Sequence, residues 1–172
     1  LVFVFAVTQL SHVLLHNYSA LGAFETAILL LAVWWVWIYT TWALNWLDPD
    51  ALPVRLMLFA SMLLGLFMSM SIPEAFGAKG LTFALAFAAM QVGRSVFTVL
   101  ILLRASPENA RNFQRISAWL AVSGVVWIAG GLAGHWMRVG LWAVAVLCEY
   151  ASPMTGFALP GLGRSSTRDW TI

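Results

Sequence analysis

Residues 81–103 read LTFALAFAAMQVGRSVFTVLILL, and the reading of this stretch decides the fold. A helix rises ~1.5 Å per residue, so a run of this length crosses the ~30 Å of hydrocarbon in a bilayer. Its apolar residues form a continuous block instead of alternating or keeping to one helical stripe, and Arg94 is its only charge. Five more blocks of the same kind flank it. They run from about Leu1 to Leu15, Ala23 to Leu47, Val54 to Ile72, Ile116 to Leu132 and Val139 to Leu159. Between them lie Asp48-Pro49-Asp50 with Pro53, Pro73-Glu74 with Gly77 and Gly80, Ser106-Pro107-Glu108, Gly134-His135 and Pro160-Gly161. The expected fold is therefore all-α: a polytopic transmembrane helix bundle of about six spans over residues 1–160, with residues 161–172 as a polar cytoplasmic linker or tail. The opening residues read as the middle of a helix, so the chain is expected to be the front half of a larger membrane domain.

Composition supports lipid as the solvent. Apolar residues make up 62% of the chain and charged residues 9%, whereas a soluble domain carries about 25% charge. Mean hydropathy is +0.87. A net charge of +2 spread thinly along loops forms no nucleic-acid patch. A single cysteine, Cys148, excludes a disulfide framework and a Cys-based zinc site within one chain.

Basic residues set an expected orientation. Connections after the second, fourth and sixth segments carry Arg55, Arg104, Arg111, Arg115, Arg164 and Arg168, while those after the third and fifth carry only Lys79 and Arg138. The positive-inside rule places the richer side, and with it the N-terminus, in the cytoplasm.

Polar residues inside apolar spans are costly, and so they are the informative ones. Arg94 and Glu149 fall at similar depth near the midplane, and a mutual ion pair is the simplest expectation. Gln91, Arg94, Ser95 and Thr98 follow three- and four-residue steps and share one helical face. Pro153 lies four residues after Glu149 and removes the donor its carbonyl would meet, leaving a free carbonyl beside a buried carboxylate. Gln9 and His12 on the first segment suit an access path. His12, His16 and Glu25 form a formally possible zinc set, although two interfacial histidines commonly bind nothing, and no metal is expected. Small residues at Ser61, Gly65 and Ser69, and at Ala89 and Gly93, suit close helix approach. The stripe Trp35, Tyr39, Trp42, Trp46 reads as packing with an interfacial anchor, or as an aromatic wall for an organic substrate.

Catalytic chemistry finds no support. The sequence has no phosphate-binding glycine loop, no His-Glu-x-x-His motif, and no serine, histidine and aspartate set with a recognisable elbow. Neither an enzymatic activity nor a cofactor is expected.

Several stretches resemble the bacterial low temperature requirement protein A family. They are LVFVFAVTQLSHVL from Leu1, WWVWIYTTWALNWLDPD from Trp34, RLMLFASMLLGLFMSMSIPEAF from Arg55, QVGRSVF around Arg94, and Glu149-Tyr150-Ala151-Ser152-Pro153. The resemblance covers essentially the whole chain, and family members are roughly twice as long. It implies a multi-spanning bacterial inner-membrane protein in which Asn45, Asp48, Arg94 and Glu149 are positions the family pattern uses.

The leading expectation is a transporter of a small solute or ion, with Arg94, Glu149 and Gln91 at its midplane and Gln9, His12 and Asn45 along the path. Its partners would be the lipid bilayer, the missing C-terminal half of the same protein and a second copy in a homo-oligomer. One alternative is a regulatory or structural membrane protein whose ion pair only fixes packing. Another is a channel resembling the potassium channels of the lysosomal TMEM family.

Overall fold

The computed structural model describes residues 2–105 and 107–157, and the expected tail at 161–172 lies outside these. Among the described residues every regular element is helical. The order is α1 (Val2–His16), α2 (Ala20–Trp46), α3 (Leu52–Ser71), a 3₁₀ turn (Ile72–Glu74), α4 (Gly80–Ala105), α5 (Pro107–Leu132) and α6 (His135–Met154). Four helical stretches are long and apolar enough to cross a membrane: Ala20–Trp46, Leu52–Glu74, Gly80–Arg104 and Asn109–Leu132. Helix α1 is apolar but shorter. Short connections fold the helices back on one another. Helix α4 is central, packing on α2, α3 and α5, while α6 lies against α5 and α2, and α1 against α2 and α3.

Helix boundaries depart from the hydropathy reading where caps outrank hydropathy. Helix α2 starts at Ala20, three residues earlier than expected, because the Ser19 hydroxyl accepts the Gly22 N–H at 3.0 Å. Helix α5 starts at Pro107, nine residues before Ile116. Proline suits a first helical position, where its missing N–H costs nothing, so the polar stretch through Arg115 continues the helix. Helix α6 ends at Met154 instead of Leu159. Gly156 and Phe157 adopt positive φ (63° and 50°), and the Phe157 N–H returns to the Ser152 carbonyl at 2.9 Å, closing the helix end.

Small residues do divide the helix contacts, though not as the stripes suggested. A Cβ on Gly65 would lie 2.9 Å from the Val2 side chain, so α3 uses that position to admit α1. Gly93 meets nothing within 4 Å and makes no close approach. The tight α4–α5 seam runs elsewhere, at Gly131, where a Cβ would sit 3.0 Å from Leu81 Cα and 3.1 Å from the Gly80 carbonyl.

Two apolar clusters fill the interior. One gathers Leu29, Met68, Phe83, Phe87, Trp127 and Trp142. The other gathers Trp35, Tyr39, Val99, Phe113, Leu120 and Phe157. The aromatic stripe on α2 thus belongs to packing: Trp35 and Tyr39 are buried, Trp42 and Trp46 half-buried against the second cluster. Hydroxyls on exposed turns are satisfied within their own helix. Thr8 donates to the Val4 carbonyl at 3.0 Å, Ser11 to Val7 at 3.1 Å, and Thr41 to Ile38 at 2.7 Å.

Candidate functional site

Between the two clusters lies a polar layer. Along α4 the first cluster ends at Met90, the buried polar residues Gln91, Arg94, Ser95 and Thr98 follow, and the second cluster resumes at Val99. Helices α5 and α6 change character at matching levels, through Ser123 and through Glu149 with Ser152. The three- and four-residue spacing that put the α4 group on one face has turned that face inward.

Arg94 is 3% exposed and points toward α2. Its Nη1 donates to the Thr40 hydroxyl at 2.8 Å and to the Val36 carbonyl at 3.3 Å, and its Nη2 donates to Gln91 Oε1. The Thr40 hydroxyl in turn donates a hydrogen bond to the Val36 carbonyl at 2.7 Å. The guanidinium carbon also stands 5.8 Å from the Tyr39 ring centre, within the range of a cation–π contact.

Glu149 is held from α5. Its Oε1 accepts from the Ser123 hydroxyl at 2.5 Å and from Trp127 Nε1 at 3.2 Å. The direct Arg94–Glu149 ion pair expected from their depth is not formed. The ion pairs among the described residues are Arg55–Asp50, Lys79–Glu74 and His135–Glu25. Helices α4 and α6 both pack on α2 and α5, so each charge meets the nearer helix before it meets the other. The carbonyl that Pro153 frees is also taken, because the Ser152 hydroxyl donates to the Glu149 carbonyl at 2.7 Å. The free carbonyl expected beside the buried carboxylate is therefore not present. What stays open is side-chain capacity: Glu149 Oε2 and Gln91 Nε2 are buried without a hydrogen-bond partner.

The remaining sequence candidates are dispersed. Gln9 is half-buried on α1, and Asn45 is exposed near the end of α2. His12 is exposed at the far end of the bundle, where with His16, Asn17, Glu25 and Glu74 it lines a cavity of about 520 Å³. There Glu25 turns to His135, with Oε1 3.2 Å from Nε2. Among the described residues no three His, Cys, Asp or Glu side chains are arranged to hold a metal ion.

Sequence reasoning missed Arg138, which it had read as a loop charge. Arg138 is buried, and its guanidinium donates to five backbone carbonyls: Gly77 at 2.7 Å, Ala75 at 3.0 Å, Gly130 and Ala133 at 3.1 Å, and Gly131 at 3.2 Å. It ties the end of α5 to the turn before α4. The visible signal was GGLAG at residues 130–134, whose glycine- and alanine-rich helix end leaves its carbonyls uncovered by side chains.

Long apolar helices folded into one bundle, with charged side chains buried partway along them, define a multi-pass integral membrane protein. The model of the family described as bacterial low temperature requirement A protein (LtrA) matches residues 1–172, and the chain belongs to that family. It is 46% identical over 165 residues to an uncharacterized protein of Rhizobium meliloti (strain 1021); the alignment covers 96% of this chain and 40% of the relative. The chain therefore spans about two fifths of that relative's length. No solved structure matches it.

Proposed function

We propose that this protein is a transporter of a small solute or ion, and not an enzyme, with the Arg94–Gln91–Glu149 layer as its translocation site. The observation that carries this reading is the layer's incomplete pairing. A buried charge costs roughly 3 kcal/mol or more at the bilayer centre, and a purely structural clasp would join the two opposite charges directly. Here each charge has only neutral hydrogen-bond partners, and a carboxylate oxygen and an amide nitrogen stay buried without a hydrogen-bond partner. Convergence of polar groups from several helices at one depth is how membrane transport sites are built. On this reading α1 and α6 also span, giving six passes in a bacterial inner membrane with the Arg55, Arg104, Arg111 and Arg115 end in the cytoplasm. The remainder of the full-length protein, or a second copy, would complete the path.

The test is ion and solute flux through full-length protein in liposomes, comparing wild type with Glu149→Gln and Arg94→Gln at matched insertion. Flux in wild type that both substitutions abolish is the expected result. Absence of wild-type flux, with both variants merely less stable, would instead favour a static packing role.

A further inference from the structure

We propose that the cleft between α3 and α4 binds a membrane-dissolved long-chain carboxylic acid, with its carboxylate on Arg94. The cleft has a volume of about 470 Å³, within the ~300–1,000 Å³ of small-molecule sites. Leu56, Met57, Leu64, Met90 and Phe97 supply apolar walls, and Arg94 supplies the one charged group among its lining residues. Leu56 on its wall is more than half exposed, as are Phe59 and Leu63 on the same helix. The gap is real space: α3 comes near α4 at Gly65, whose Cβ would stand 3.8 Å from Met90 Sδ, whereas a Cβ on Gly93 would meet no atom within 4 Å.

Charge chooses the occupant. An arginine carries five N–H donors in a planar fork that fits the two oxygens of a carboxylate. Among the described residues, the bonds to Val36, Thr40 and Gln91 occupy three of them, all to neutral acceptors, and Arg94 takes part in no ion pair. The Nε–H and one Nη2–H, which together form one edge of the fork, are left for an anion. Apart from Arg94, the polar side chain on the cleft is Ser61, whose hydroxyl is already committed to the Met57 carbonyl at 2.9 Å. Apolar walls with a single guanidinium match an amphiphile with one acidic group and a plain hydrocarbon tail.

The inference names a ligand for the arginine half of the polar layer, and to that extent it rests on the proposed function. Binding, however, is measured without flux. Full-length protein in nanodiscs of neutral lipid would be labelled with a long-chain carboxylic acid carrying a diazirine, and the labelled residues mapped. Labelling is expected on cleft residues of α3 and α4, competed by the free acid and not by its methyl ester. Arg94→Gln should lower it at least tenfold. Gly93→Leu should abolish it while the protein stays folded and monodisperse, because the new side chain fills empty space. Labelling indifferent to Gly93→Leu, or competed equally by the ester or by an anionic phospholipid, overturns the proposal. So does a cleft that takes no label in wild type because other parts of the full-length chain cover it. Labelling without flux sinks transport and leaves binding standing; flux without labelling does the reverse.

Discussion

Replacing Arg138 by methionine removes a buried cation while keeping a side chain of similar length. Five carbonyls lose a donor, but they do not suffer equally. Those of Gly77 and Ala133 are bonded in part-buried surroundings and can turn to water. The Gly130 carbonyl keeps the Ala133 N–H at 3.1 Å. That leaves the carbonyls of Ala75 and Gly131 buried and stripped of this donor. At about 1–3 kcal/mol for each orphaned buried group, the substitution should cost about 2–6 kcal/mol. The assay is equilibrium unfolding in mild detergent followed by tryptophan fluorescence, since Trp142 stands 5.8 Å from the guanidinium carbon and reports the same locus. Lysine at this position, with three donors and no planar fork, should recover part of the loss. Gly80→Ala should act through the same contact, because a Cβ there would run into the guanidinium, so its cost should be less than additive with that of Arg138→Met. If Arg138→Met unfolds within about 0.5 kcal/mol of wild type, the range ordinary for surface changes, the reading of Arg138 as a backbone staple is refuted.

Two glycine substitutions should part company. Gly93→Ala should be neutral or stabilising by up to about 1 kcal/mol, as a mid-helix glycine with free space around it gains helix propensity. Gly131→Ala should destabilise by about 1–3 kcal/mol, since its neighbours are the Leu81 Cα and the Gly80 carbonyl, backbone atoms that cannot swing aside. Thermal unfolding of the two variants side by side checks both. Ser152→Ala should cost about 1–3 kcal/mol, because Pro153 has no N–H to replace the lost hydroxyl at the Glu149 carbonyl; a change below about 0.5 kcal/mol in the same unfolding assay would mean that carbonyl finds another donor.

All six helices, and the four long and apolar enough to cross a membrane, were legible because hydropathy over twenty residues is a bulk property, indifferent to how helices turn relative to one another. The inward face of Gln91, Arg94 and Thr98 was legible for a similar reason, as spacing along one helix sets it. Which helix receives Arg94 was not legible. Thr40 lies 54 residues away, and choosing it over Glu149 depends on which helices are neighbours, a fact no local pattern encodes. Cap chemistry at Ser19 and Pro107 was present in the sequence, but apolarity outweighed it in placing the boundaries. Arg138 was misplaced because a charge near a helix end is ordinarily solvated, and only the bare carbonyls of a glycine-rich helix end make burial favourable.

The partners of the two buried charges have a consequence for the order in which the bundle can assemble. Arg94 on α4 is received by Thr40 and Val36 on α2, and Glu149 on α6 by Ser123 and Trp127 on α5. In both cases the acceptor or donor lies earlier in the chain. If the helices enter the bilayer in chain order, each charged helix would find its neutral partners already made, and neither charge would wait for a later helix. A direct Arg94–Glu149 pair would have left Arg94 stranded until α6 was made; the arrangement adopted lets the bundle assemble in the order in which it is translated.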